Sequence, residues 1–141
     1  MASYFERFLE RSLRAFMAGE PTTLARLAAV PLAVHVEDAF LLLQSFEAVV
    51  QALEVQRRYL RVRRITDVKL VETALELPRK DRFRAWVEYS YLRGEQVLPE
   101  SSKVIYYGHR KGGQTLVEMV QYQTFAHPRL KRLIPASNRA G

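Results

Sequence analysis

The chain has no cysteine, which excludes disulfides, thiolate catalysis and cysteine-ligated metals. It has no apolar run of the roughly 20 residues that a membrane-spanning helix needs. Its first residues, MASYFERFLERSLRAF, interrupt every apolar stretch with Glu or Arg, so a secretory leader is not expected there. Histidine is scarce, at three residues, and none forms a His-x-His, His-Glu-x-x-His or Glu-x-x-His pattern, so neither a metal nor a cofactor is expected. Gly-rich phosphate loops and Ser-centred nucleophile elbows are missing too. A cytoplasmic protein is the simplest expectation from these absences.

What is present is a domain-sized chain of 141 residues, 48% hydrophobic, carrying a net charge of +7. That length can bury one real core. Much of the positive excess is local: RRYLRVRR holds five arginines between Arg57 and Arg64, and the last residues add Arg129, Lys131, Arg132 and Arg139 without an acid. Such a balance can attract anionic polymers. A solvated basic face is the commoner outcome, so neither nucleic acid nor a membrane is expected as partner.

The hydrophobic period changes once along the chain. In SYFERFLERSLRAFMA (3–18), Phe5, Phe8, Leu9, Leu13, Phe16 and Met17 recur at helical spacing. Ser3 and Glu6 can form a capping box, and Gly19 ends the helix. A second, short helix is expected over TTLARLAAV, closed by Pro31, and then a short strand in LAVHVEDAF. Ser45 caps a third helix, SFEAVVQALEVQRRYL, with Phe46, Val49, Val50, Leu53 and Leu60 on one stripe. From Thr66 onward the pattern is one of strands: TDVKLVETALELP, RFRAWVEYSYLRG, SSKVIYYGHR and QTLVEMVQYQTF, joined by short turns such as KGG. Short connections imply an antiparallel meander. The expected fold is therefore α+β: N-terminal helices packed on a strongly curved, mainly antiparallel sheet, as one domain over 1–127 with a loose basic tail over 128–141. Both faces of the strands carry apolar side chains. The helices cover one face, and a second copy of the chain is expected to cover the other, giving a homodimer.

One stretch raises a chemical question. LAVHVEDAFLLLQ (32–44) places Glu37 and Asp38 inside an otherwise apolar run. A solvated strand end would explain them, and so would a reactive carboxylate at an apolar pocket. Within it, AVHVEDAF resembles the segment of ketosteroid isomerase in which a Val-Glu-Asp triplet carries the catalytic base. With the helix end at Gly19 and the Val-Ile pair of SKVIYYG, the chain resembles the SnoaL-like superfamily over about residues 3–126. Ketosteroid isomerase and nuclear transport factor 2 share that cone-shaped, cystatin-like fold. The resemblance implies a cone pocket and places Asp38 at the base. It also shows three departures: Ala39 stands where the isomerase has Pro, Ser12 where it has the oxyanion-hole Tyr, and Tyr106 where it has a protonated Asp.

On that resemblance, the expected function is binding of a small apolar, oxygen-bearing molecule, with Asp38, Tyr106 and His35 as candidate catalytic residues. Asp38 would abstract a proton beside a carbonyl or activate a water, Tyr106 would donate to the developing oxyanion, and His35 would share a proton with Asp38. Such an enzyme would be a cofactor-free isomerase, cyclase or hydrolase. The family register implies that Trp86, Glu88, Val104, Tyr106, Glu118, Val120 and Tyr122 face the cone, with Phe40 at its wall. A one-residue slip would turn each of these outward. The alternative is a non-catalytic dimeric binding module whose cone is plugged by Phe40, Leu41, Leu42 and Leu43.

Overall fold

A computed structural model describes residues 4–36, 39–79, 81–124 and 139–140. Helices α1 (Tyr4–Met17), α2 (Pro21–Ala25) and α3 (Phe46–Val62) accompany strands β1 (Ala28–Val36), β2 (Ala39–Leu43), β3 (Asp67–Arg79), β4 (Arg82–Arg93), β5 (Gln96–Lys111), β6 (Gln114–Thr124) and β7 (Arg139–Ala140). The strands form one curved, unclosed seven-stranded sheet in the order β3-β4-β5-β6-β1-β2-β7. All neighbours are antiparallel except β1 and β6, which run parallel. No described helix is long and apolar enough to cross a membrane.

The helices form where the periodicity places them. α1 buries Phe5, Leu9, Leu13 and Phe16, one residue per turn, while Arg7, Arg11 and Arg14 stay exposed. Each such side chain contributes about 1.5–3 kcal/mol when withdrawn from water. Its end is a Schellman closure: Gly19, at φ +97°, donates its N–H to Phe16 O, and Glu20 N–H reaches Ala15 O at 2.8 Å. Arg14 then ties the helix to the edge of the sheet, donating to Asp67 Oδ1 at 2.5 Å and to Val68 O. α3 is capped by Ser45, whose hydroxyl oxygen accepts from Ala48 N–H at 3.1 Å.

Two local expectations change. The second helix stops at Ala25, and residues expected to continue it as far as Pro31 enter β1. Pro31 is tolerated inside the strand because the β1–β6 register is irregular between Ala28 and Ala33, where Pro has no ladder N–H to supply. The run after the acidic pair is a second strand, pairing Leu32 with Leu43 and Val36 with Ala39. The antiparallel meander from β3 to β6 is as expected, with a two-residue turn at Gly112–Gly113, both at positive φ. Arg139 and Ala140 pair with Leu41 and Phe40, and residues 125–138 lie outside the described residues.

Candidate functional site: an apolar cone cavity with a phenol cluster

The concave side of the sheet and the inner faces of the three helices line a partly open cavity of about 180 Å³. Helix α1 contributes Phe5, Leu9, Leu13 and Phe16, and α3 contributes Val49, Ala52, Leu53, Gln56 and Leu60. Strand alternation supplies the remaining wall. Leu32, Val34 and Val36 of β1 and Leu41 and Leu43 of β2 turn inward, as do Tyr89 and Tyr91 of β4. Among the described lining residues none is charged.

The polar groups of this cavity are mostly phenols. The hydroxyls of Tyr89 and Tyr106 lie 2.6 Å apart in a hydrogen bond that either can donate. Tyr122, one strand further on, is hydrogen-bonded by Gln56 of α3. Tyr91 exchanges a 2.8 Å hydrogen bond with Ser102, which is fully buried. The Tyr106 ring meets Phe5 edge-on at 6.1 Å. Burial pushes all four phenols above their usual range. At Tyr106 and Tyr122 the neighbouring phenols add to that rise, and at Tyr89 and Tyr91 a hydrogen bond opposes it in part. The four are therefore neutral hydrogen-bonding groups at any ordinary pH.

The sequence-derived site residues divide between the two sheet faces. Tyr106, Val120 and Tyr122 line the cavity. Val104 is buried against them in the core, paired with Val87 and Tyr122, but is not part of the cavity wall. Trp86 and Glu88 depart from the family register. Phe83, Ala85, Val87, Tyr89 and Tyr91 are the buried set on β4, so Arg84, Trp86 and Glu88 belong to the opposite face. There the Arg84 guanidinium lies 5.6 Å over the Trp86 ring and 5.5 Å over Tyr107. Trp86, Glu88 and Val104 border a separate groove with Lys103 and Gln123.

Glu118 is also outside the cavity: it accepts from Arg82 Nη1 at 2.7 Å and pairs with His109 Nδ1. The cause is a break in the β5–β6 register between Tyr107 and Gly108, which shifts the side-chain alternation that the sequence implies for β6. His35 is exposed, because β1 turns Val34 and Val36 inward, and its ring lies 4.7 Å from that of Phe40. Neither His35 nor Phe40 lines the cavity. Glu37 and Asp38 lie outside the described residues. Among those described, no three His, Asp or Glu side chains converge as a metal site would require.

Solved structures share this architecture. Aln2 of a Streptomyces species superposes with a TM-score of 0.67 at 10% identity, covering 84% of this chain and 85% of its own. A protein of Catenulispora acidiphila does so at 0.65 and 15% identity, over 85% of this chain and 88% of its own. An NTF-2-like protein of unknown function from Shewanella oneidensis matches at 0.62 and 8% identity, over 82% and 93%. The chain has the NTF2-like, SnoaL-like cone fold. No protein-family model and no curated protein matches the sequence. At these identities the likeness concerns the fold, and a cone fold hosts many unrelated functions.

Within the cone fold, Tyr89, Tyr91 and Gln56 are the polar cavity residues that the sequence reading passed over. Gln56 had a readable signal. It occupies the apolar stripe of α3, between Leu53 and Leu60, where a polar side chain needs a partner. Tyr89 and Tyr91 share the inward alternation of Phe83, Ala85 and Val87.

Proposed function

We propose that this protein binds a small, mainly apolar molecule with an oxygen function inside the cone cavity. The observation that carries this reading is a partly open cavity of about 180 Å³ with mainly apolar walls and a cluster of neutral phenols. Apolar cavities of about 150 Å³ stay dry and take up a single aromatic ring, so a ligand of one ring with a short substituent is the right scale. Leu41 and Leu43 occupy part of the cone, as a plugged module would require, yet the space remains. Titrating the protein with a panel of monocyclic ketones, esters and alkylbenzenes, followed by side-chain methyl NMR, tests the reading. Saturable shifts confined to Leu, Val and Ala methyls of the cavity are expected. An unresponsive panel would remove ligand binding and leave the alternative, a non-catalytic dimeric interaction module.

Cofactor-free acid/base catalysis through Asp38, as isomerase, cyclase or hydrolase, extends the same reading. Its support is register: Val36 lines the cavity and pairs with both Tyr122 and Ala39. Once a turnover substrate is in hand, Asp38→Asn abolishes turnover while binding persists; unchanged turnover removes the role. Homodimerisation through the outer sheet face is supported by the half-buried Trp86, Tyr107 and Met119. Acids and bases (Glu88, Glu118, Arg84, Lys103) are interspersed, a pattern that can complement itself across a two-fold axis. Light scattering at micromolar concentration should return twice the chain mass.

A further inference from the structure

Helix α3 ends in the same Schellman closure as α1, but with an arginine where glycine is the usual residue. Ile65 N–H donates to Leu60 O and Arg64 N–H to Arg61 O, both at 2.9 Å, and Arg64 takes the left-handed position at φ 59°. At the matching place after α1 the chain has Gly19, at φ +97°. Glycine adopts that backbone freely, whereas an arginine is strained there. The strained residue leaves an exposed side chain at the tip of the helix, and Arg58 and Arg61 are exposed in the turns before it. The β4–β5 turn is fastened beside this helix end. Thr66 N–H donates to Leu92 O at 2.8 Å, Gly94 N–H to Thr66 Oγ1 at 2.9 Å, and Arg93 Nη2 to Arg63 O at 2.8 Å. That turn adds the exposed Arg93 and Glu95. Two further acids at this end are paired: Glu100 lies 3.7 Å from Arg63, and Asp67 binds Arg14 at 2.5 Å. Two large apolar side chains stand in water among these charges, Val62 at 82% exposure and Val97 at 61%.

We propose that this end of the molecule, where α3 terminates against the β4–β5 turn, docks on an anionic lipid surface. Arg58, Arg61, Arg64 and Arg93 meet the headgroups, and Val62 and Val97 enter the interface. Net charge alone does not call for such a partner; the placement of these side chains does. The helix dipole accounts for a basic last turn. It gives no reason for an arginine at a left-handed position, or for valines held in solvent. Peripheral membrane binding uses both, because burial of apolar side chains and attraction to anionic headgroups add. A nucleic acid would instead offer bases to stack on aromatic rings. Among the described side chains the exposed aromatic is Phe46, which opens α3 at its far end. Aliphatic side chains between guanidinium groups match lipid better than bases. The surface is built independently of the cone cavity, so it stands whether or not a ligand is bound there.

Co-sedimentation with vesicles tests this, using phosphatidylcholine alone and phosphatidylcholine mixed with phosphatidylserine, at low and at high ionic strength. The wild type is expected to bind the mixed vesicles much more tightly than the neutral ones, and to leave them as salt screens the charges. Arg64→Gly should weaken binding about fivefold, the share of one basic side chain at such a surface. Its melting temperature should be unchanged or higher, because the left-handed strain is relieved. Val62→Ser should weaken binding several-fold with every charge in place. Lys111→Gln removes the same charge at the opposite end of β5, next to the β5–β6 turn, and should leave binding unchanged. No binding to mixed vesicles at low ionic strength would overturn the proposal. So would binding that Lys111→Gln weakens as much as Arg64→Gly, which would mean diffuse attraction by net charge. Binding indifferent to Val62→Ser would remove insertion, and with it the choice of lipid. A single-stranded oligonucleotide that displaces the protein from vesicles, and whose own binding Arg64→Gly weakens but Val62→Ser does not, would reassign the surface to nucleic acid.

Discussion

Replacing Gly108 with Ala should be among the most damaging single-methyl additions available to this protein. A Cβ at that position would lie 2.2 Å from the backbone oxygen of Leu116 and 2.5 Å from Cζ of Phe83. Contact at that range is far inside van der Waals separation, and the carbonyl cannot rotate away as a side chain could. Strands β5 and β6 must part by about 1 Å at the Gly108–Val117 pair, at the cost of about one ladder hydrogen bond, worth roughly 1 kcal/mol. The Phe83 ring must also leave Phe5, whose centroid is 4.9 Å away, which costs about another 1 kcal/mol. Strain from overpacking adds roughly 1 kcal/mol or more. The expected loss is about 3 kcal/mol, or about 10 °C in Tm for a chain of this size. Urea denaturation monitored by the single Trp measures it, with Gly112→Ala as control. Gly112 has nothing within 4 Å of a built Cβ, only a positive φ of 58°, so its variant should lose about 1 kcal/mol. A Gly108→Ala loss no larger than that of the control would refute the steric argument.

Three further outcomes follow from the geometry. Tyr89, Tyr91, Tyr106 and Tyr122 have raised folded-state pKa values, so their contribution is complete below the unfolded value near 10 and is lost as pH rises beyond it. Stability should fall above pH 10 by up to about 1.4 kcal/mol per pH unit for each phenol, and ultraviolet titration of the folded protein should leave four of the seven tyrosines un-ionised. All seven ionising together near pH 10 in a folded chain would contradict the burial. Leu41→Ala removes a side chain that is 2% exposed and lines the cavity; a loss of about 2–5 kcal/mol is expected, with tighter binding of bulkier aromatic probes. Ser45→Ala deletes the cap of α3 and should cost about 1 kcal/mol in a denaturant titration; a change below a few tenths would show that the bond to Ala48 contributes nothing.

Much of the architecture was legible because its signals are local. Apolar spacing marks α1 and α3, Gly19 and Ser45 punctuate them, and period-two runs with tight turns mark the meander. The second helix was overread because AAVPLAVHV is held as a strand by β6, a partner distant in sequence. The site was legible in part. On β4 the size of Trp86 drew attention to the wrong alternation, although Arg82, Arg84, Glu88 and Ser90 on the same face mark it as the polar side. On β6 no local pattern foretells the Tyr107–Gly108 irregularity that moves Glu118 to Arg82 and His109. The Tyr89–Tyr106 contact depends on the β4–β5 register, which pairs Ala85 rather than Tyr89 with Tyr106, so no sequence spacing encodes it.

The parallel pairing of β1 with β6 also has a kinetic consequence. Ala28 finds its partner at Val117, and Val36 at Tyr122. During synthesis the β1–β2 hairpin is made early, but its ladder partner emerges only after the whole meander has left the ribosome. Loop-closure entropy is met late, and contacts of such long sequence separation slow folding. Until β6 arrives, Val34, Val36, Leu41 and Leu43 are presented to water instead of to a cavity. A chain stalled before residue 114 would expose the same surface that in the finished protein forms the cavity wall, which makes it a target for chaperones and a starting point for aggregation.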